Sequence, residues 1–448
     1  MIGVAGLGKS GISAANLLLK NGEEVILFDS NKELDKNTIL DNFDKKYHER
    51  IKIVLGDLNE SDAKDMKYCV ISPGIDLEVD FVKTLKSCNI PIWSEVELGY
   101  KYSKGDLIAI TGTNGKTTTT SLVGEIMSNF KESAFTVGNI GIPYTDIADK
   151  TNENTVTVLE TSSFQLETII DFKPKISAIL NITPDHLNRH HTMENYIKVK
   201  EDIEKNQDKN DFCILNYEDA ALREFAKRAK ANVIFFSSRE KLSEGFYLEN
   251  GFVVQNKGGV VTKLLDTGKL NILGRHNHEN VMAAMAISFA YGVPMDIIVN
   301  TCYNFKAVEH RIEFVKEVNG VKYYNDSKGT NPDAAIQAVL AMPAATYIIG
   351  GGYDKGSEYD EWIESFGTKV KKLVLMGATA DKIADCAKKH GFTNIEKVES
   401  MQEAVKLCAS EAKAGEYVLL SPACASWGMF KNYEERGHIF KDCVRDLG

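Results

Sequence analysis

Gly112-Thr-Asn-Gly-Lys-Thr117 is the stretch whose chemistry is plainest. It follows the apolar run Ile108-Ala-Ile-Thr111 and precedes three more threonines, so a buried strand should enter a tight loop and a helix should leave it. The backbone N–H groups of such a loop, with the helix N-terminus, form a concave anion site. Lys116 adds a point charge that can reach a β- or γ-phosphate, and the Thr117 hydroxyl suits Mg²⁺. The usual phosphate-loop pattern wants glycine at position 110, which is Ile110 here; the first glycine comes two residues later, so the loop is a shorter variant. The bland alternative is an ordinary glycine-rich turn.

Three residues further on could share that site. Glu160 ends the apolar run Thr155-Val-Thr-Val-Leu159, where a nucleotide enzyme holds Mg²⁺ and where a helix N-cap partner also fits. His186 follows Asp185 in a strand-end loop and could ligate metal, orient substrate or do neither. Thr192 can cap a helix from Met193 to about Gln207, with an apolar stripe of Tyr196, Val199 and Ile203. Lys200 falls inside that stripe. Such a lysine usually snorkels to water. Facing a metal instead, its ammonium would meet two unit-charge repulsions worth about 8 kcal/mol at 4 Å and an effective dielectric of 20. A lysine in a metal site must therefore be neutral or converted to an anion.

A second group of polar turns lies downstream: His310-Arg311, Asn325-Asp-Ser-Lys-Gly-Thr-Asn331, Gly350-Gly-Gly-Tyr-Asp-Lys355 and Leu420-Ser-Pro-Ala-Cys-Ala-Ser-Trp427. The last three each follow a predicted strand, so Asp326, Lys328 and Thr330 should face a strand-end cleft. Any one of them alone could be a solvated Asn/Asp/Ser turn.

The elements that position these residues read as α/β throughout. With 448 residues the chain exceeds one core and should form two or three domains. Residues 1–93 carry Gly6-x-Gly8-x-x-Gly11 between a strand and the helix Ile12–Lys20, then the strand Glu24–Phe28 ending at Asp29-Ser30. That is the dinucleotide-fold fingerprint, which by itself suggests NAD or a structural domain with no cofactor. The first strand is short, which leaves open a clipped start. Residues 94–306 hold the phosphate loop, strands at 155–159 and 176–182, a β-rich insertion at about 245–273 and the helix Val281–Tyr291. Residues 307–448 alternate strands and helices again, with strands at Val321–Asn325, Thr346–Gly350, Lys372–Met376 and Glu416–Leu420. The eight cysteines show no Cys-x-x-Cys pair, so they should be reduced core residues of a cytoplasmic protein. A net charge of −10 argues against nucleic acid as a partner, and no secretory signal or bilayer-spanning run is expected.

Together, Gly112-Thr-Asn-Gly-Lys-Thr117, Gly138-Asn-Ile-Gly141, Leu159-Glu-Thr-Ser-Ser-Phe-Gln-Leu-Glu167, Asn325–Asn331 and Ser421-Pro-Ala-Cys-Ala-Ser426 resemble the Mur ligases, the ATP-dependent amide-forming enzymes of peptidoglycan synthesis. The resemblance covers the whole chain. It implies three domains: Rossmann-like N-terminal, P-loop mononucleotide-binding central and Rossmann-like C-terminal. It implies a cytoplasmic monomer that joins D-glutamate to UDP-N-acetylmuramoyl-L-alanine through an acyl phosphate. The Asp-Asn-Pro-Arg motif of the relatives that add meso-diaminopimelate is absent. An L-alanine-adding ligase, a folate polyglutamate synthase, an oxidoreductase and a non-enzymatic nucleotide-gated module are the competing readings.

Residue by residue, the resemblance implies that Gly112, Thr113, Asn114, Gly115, Lys116, Thr117 and Thr118 cradle ATP, with Asn280, Arg311 and Asp326 also on the nucleotide. Leu7, Asp29, Ser30 and Gly74 would touch UDP rather than NAD, and Asn139 the muramoyl portion. Thr117 and Glu160 would hold one Mg²⁺. His186 and Lys200 would hold a second, with Lys200 carbamylated by CO₂, which turns the repelled cation into an anionic ligand. Lys116, His186 and Lys200 would be catalytic. Lys328, Thr330, Lys355, Ser426, Trp427 and Tyr433 would form the D-glutamate pocket.

Overall fold

The computed structural model describes residues 1–306 and 308–448. The chain forms two compact units, Met1–Asp266 with Glu279–Cys302, and Thr267–His278 with Tyr303–Gly448. The described residues form three sheets, two in the first unit and one in the second. The expected boundary at residue 307 lies outside the described residues.

The first sheet has five parallel strands in the order Ile51–Leu55, Val25–Asp29, Ile2–Ala5, Cys69–Ile71, Ile92–Ser94. Ile2–Ala5 and Cys69–Ile71 are buried along their whole length, as strands covered on both faces must be. The chain order reverses between these two, so the turns after Ala5 and Ile71 meet at one edge. The glycine fingerprint serves that packing. A Cβ on Gly11 would lie 1.8 Å from the Gly6 carbonyl oxygen, so only glycine lets the helix Lys9–Lys20 lie on the turn.

The second sheet has nine strands, with Asp106–Thr111 between Ile176–Ile179 and Val156–Glu160. Those three strands are parallel. The predicted insertion is a run of antiparallel strands, Gly245–Glu249, Phe252–Lys257 and Val260–Asp266, at one edge. The helix Glu95–Tyr102, capped by Ser94, connects the two sheets. Its Glu97 carboxylate accepts from the backbone N–H groups of Ile170, Asp171 and Phe172 at 2.9–3.0 Å.

The third sheet places Tyr417–Leu420 between Val321–Asn325 and Thr346–Gly350, all parallel, so the three polar turns share one edge. An antiparallel edge strand, Glu313–Val318, has no sequence signal of its own, because alternating Glu and Lys with Val also suits a helix.

Two expected elements differ. The helix after Thr192 spans Met193–Glu201 and tightens into a 3₁₀ turn at Asp202–Glu204. Tertiary bonds end it: Glu204 accepts from the Ala231 N–H at 2.9 Å, and Gln207 bonds Ser177, Pro174 and Phe212. The helix placed at Val281–Tyr291 begins earlier, at Arg275, so His276 to Asn280 form its first turns.

Candidate functional site

The phosphate loop is tied down from the neighbouring strand end. Asn181 accepts from the Asn114 N–H at 2.8 Å and donates to the Asn114 carbonyl at 3.1 Å. Thr113 Oγ1 donates to the Thr183 carbonyl at 3.1 Å and lies 3.1 Å from the Tyr196 hydroxyl. Gly115 is left-handed at φ +84°, and a Cβ there would lie 2.2 Å from Asn280 Oδ1, so Asn280 does stand against the loop. The helix Lys116–Phe130 starts directly after it, with Thr117 and Thr118 buried in its first turn. Lys116 Nζ folds back on the loop, donating to the carbonyls of Gly112 and Thr113 at 2.9 and 2.8 Å.

Glu160 ends the adjacent strand and is buried. Its Oε1 accepts from Asn139 Nδ2 at 2.8 Å, while its Oε2 is buried with no hydrogen-bond partner among the described residues. A buried carboxylate oxygen without a donor is costly unless a cation completes it. With the Thr117 hydroxyl, in the first turn of the helix Lys116–Phe130, the candidate donor set is all oxygen, which suits Mg²⁺.

Lys200 does not snorkel. It is 1% exposed and donates to the Gly112 carbonyl at 2.9 Å, with its Nζ 4.8 Å from the Tyr196 ring centroid. Burial, and then the charge of Lys116, hold its amine well below the usual lysine range, with Asp185 pulling the other way. His186 is half-exposed and left-handed at φ +52°, with its Nε2 3.4 Å from Asp185 Oδ2. Its ring meets Phe164 edge-on at 4.9 Å.

At the first sheet, the Asp29 carboxylate accepts from the backbone N–H groups of Leu7 and Asn31 at 3.1 and 3.0 Å. Ser72 Oγ donates to the Gly6 carbonyl at 2.9 Å. Ser30 and Gly74 are exposed beside these turns. A cleft lined by Leu7, Gly8, Lys9 and Ser13 opens above the glycine turn.

In the second unit, Asp326 is 6% exposed and accepts from Ser421 Oγ at 3.0 Å. Burial pushes its carboxyl up to about 7, against the pull of Ser421, Arg311 and Arg436. Lys328 lies over the Tyr433 ring at 5.5 Å, and Lys355 over Trp427 at the same distance. Ser426 is buried, Trp427 is exposed, and Thr330 N–H donates to the Lys328 carbonyl. Sequence reasoning missed Arg436. Fully buried, it donates to the Ser327 hydroxyl and carbonyl at 3.0 and 2.7 Å and to the Cys424 carbonyl at 3.0 Å, tying the 325–331 turn to the 421–427 turn. An arginine in a surface-type helix, Tyr433–Arg445, gives no hint of this. Asn181 and Tyr196 were missed for the same reason: their partners are distant in sequence.

Three family models match the chain. They are described as "Mur ligase MurD-like, N-terminal domain" over residues 1–94, "Mur ligase middle domain" over 110–288 and "Mur ligase, glutamate ligase domain" over 310–424. The chain belongs to the Mur ligase family. Within it, the chain is 54% identical over 444 residues to a UDP-N-acetylmuramoylalanine–D-glutamate ligase of Lachnoclostridium phytofermentans, covering 99% of this chain and 97% of the relative. It is 53% identical to the enzyme of the same name from Lachnospira eligens, over 99% and 98% of the two chains. Its fold is similar to the crystal structure of the UDP-N-acetylmuramate–alanine ligase of Thermotoga maritima, with a TM-score of 0.62, 18% identity and coverage of 100% and 99%. No helix among the described residues is long and apolar enough to cross a membrane.

Proposed function

We propose that this chain is the ATP-dependent ligase that adds D-glutamate to UDP-N-acetylmuramoyl-L-alanine in cytoplasmic peptidoglycan precursor synthesis, and that it acts as a monomer without nucleic acid. The observation that carries this is identity of 54% and 53%, over 99% of the chain, with two relatives bearing that activity in their names. Residues 1–93 bind the UDP substrate, 94–306 bind ATP, and 307–448 bind the amino acid.

The substrate's alanine carboxylate attacks the γ-phosphorus of ATP. A carboxylate-to-phosphorus bond forms, the bond to ADP breaks, and an acyl phosphate results. The amine of D-glutamate then attacks the acyl carbon, phosphate leaves, and the nitrogen loses a proton. Gly112 to Thr118 cradle the phosphates, and Lys116 swings from its loop carbonyls to the transferring phosphate. Asn280, Arg311 and Asp326 hold the nucleotide. Leu7, Asp29, Ser30 and Gly74 orient the uridine diphosphate and Asn139 the muramoyl group. Lys328, Thr330, Lys355, Ser426, Trp427 and Tyr433 receive the D-glutamate.

Thr117 and Glu160 would hold one Mg²⁺, as the unpartnered Glu160 oxygen supports. His186 and Lys200 would hold a second, with Lys200 as its carbamate. The depressed amine of Lys200 favours the neutral form, which is the form that adds to CO₂: an N–C bond forms, one proton leaves to solvent, and the product is an anion. Bound magnesium supplies the positive charge that offsets bringing a carboxylate to a triphosphate.

The test is ADP release by the purified chain with ATP, Mg²⁺ and UDP-N-acetylmuramoyl-L-alanine, with and without D-glutamate. Turnover that requires D-glutamate is expected. Turnover with L-alanine on UDP-N-acetylmuramic acid instead would move the chain to another branch.

A further inference from the structure

The loop that carries His186 also carries Arg189, for which neither the sequence nor the proposed mechanism has a use. Arg189 is about as buried as its partner Glu167, each side chain 10% exposed. Its Nε and Nη2 donate to the two Glu167 oxygens at 3.3 and 2.5 Å, a two-pronged pairing. Its remaining arm, Nη1, donates to the Pro73 carbonyl at 3.2 Å. Pro73 sits in the Ser72-Pro-Gly74 turn of the first sheet, whereas Arg189 and Glu167 belong to the second-sheet layer.

The guanidinium also lies 4.5 Å from the centroid of Phe164. That ring meets His186 at 4.9 Å and stacks on His190 at 5.6 Å. His190 packs on Tyr196 at 5.1 Å, and Tyr196 lies under Lys200 at 4.8 Å. Contacts therefore run unbroken from the strand-end turn of the first sheet to the two residues assigned to the second metal.

We infer that Arg189 is a positioning residue that sets the span between the Ser72–Gly74 turn and the His186 loop, and so sets affinity for a substrate that must reach both at once. The inference rests on the reading that the UDP end of the substrate lies at the turn and its carboxylate end near His186. A ligand gripped at two ends makes its second contact intramolecularly. Altering the span weakens that contact without removing any group that touches the ligand. Only a planar, multi-armed cation can grip Glu167 twice and Pro73 once; lysine offers a single point charge.

A residue that merely stabilised the fold would weaken one-ended and two-ended ligands alike. The test therefore compares them by calorimetry on the full chain: uridine diphosphate alone against UDP-N-acetylmuramoyl-L-alanine. In Arg189→Lys and in Glu167→Gln, the dissociation constant of the whole substrate should rise about tenfold or more, the scale of one lost charge-assisted hydrogen bond. That of uridine diphosphate should stay within twofold, and the double variant should be no weaker than either single one. Phe164→Leu loosens the stack without unpairing a charge, and it should show the same split. Parallel weakening of both ligands, or no weakening of either, would overturn the inference. Wild-type chain that binds and turns over the substrate while the variants match it sinks this inference alone. Wild-type chain that fails to bind the UDP-linked substrate sinks the functional reading and this inference together.

Discussion

Lys116 and Lys200 donate to a single acceptor: each amine lies 2.9 Å from the Gly112 carbonyl oxygen. Two cations converging on one carbonyl is a poor arrangement for two charges. The structure resolves it by burying Lys200, whose amine is held well below its ordinary range by burial first and Lys116 second. Lys116 also donates to the Thr113 carbonyl at 2.8 Å, so its amine stays on the loop.

Lys200 therefore costs stability at neutral pH. Burial holds the folded amine below its unfolded value, so the cost is largest at low pH and fades as pH rises toward the unfolded value. Lys200→Met should raise the melting temperature at pH 7, by about 2 °C per kcal/mol recovered, and by less at pH 10. It should also lower kcat at least about a hundredfold, the scale of losing one transition-state stabilising group. Removing bicarbonate should slow the wild type reversibly and leave the residual rate of the variant unchanged. Full activity of the variant would end the carbamate reading.

Glu160→Gln removes the charge from a buried oxygen that has no donor among the described residues. Without ligands the variant should melt no lower than the wild type, because no hydrogen bond to Oε2 is lost. Mg²⁺ with ADP should stabilise the wild type and not the variant, read as the shift in melting temperature. Equal shifts in both would remove Glu160 from the metal site.

Asp326 predicts a pH dependence. Its folded value of about 7 lies above the ordinary 3.8, so the folded state holds the proton more tightly than the unfolded state does. Stability from this group is intact below about pH 4, falls as pH rises to 7, and is then flat. Asp326→Asn should match the wild type in denaturant midpoint at pH 4 and exceed it increasingly up to pH 7. If Asp326 holds the nucleotide, the kcat/KM profile for ATP should also lose a limb near pH 7 in the variant.

Gly115→Ala tests the loop geometry. The left-handed backbone costs a non-glycine residue about 1–2 kcal/mol, and the new Cβ would displace Asn280 from 2.2 Å. The KM for ATP should rise about tenfold or more while binding of uridine diphosphate holds, since the two turns lie on different sheets. Unchanged ATP kinetics would show that Asn280 need not abut the loop.

Much of the fold was legible because its signals are local. Apolar runs such as Ile108–Ile110 and the glycines after them mark strand ends without reference to anything distant, and Thr192 caps its helix as its type demands. The edge strand Glu313–Val318 and the early end of the helix at Glu201 were illegible, because pairing and buried bonds to remote segments decided them.

The candidate site divides in the same way. Sequence alone marked the candidates, Gly-Lys-Thr as an anion loop, Glu160 as a cation ligand or a helix N-cap partner and Asp326 in a strand-end turn, since each reading follows from residue type and its neighbours. Only the tertiary structure decided that Lys200 is buried against Gly112, that one oxygen of Glu160 has no donor among the described residues, and that Arg189 and Arg436 each hold two separate turns together. Those properties depend on burial and on partners dozens of residues away. Desolvation and charge act through space, and spacing along the chain carries no record of them.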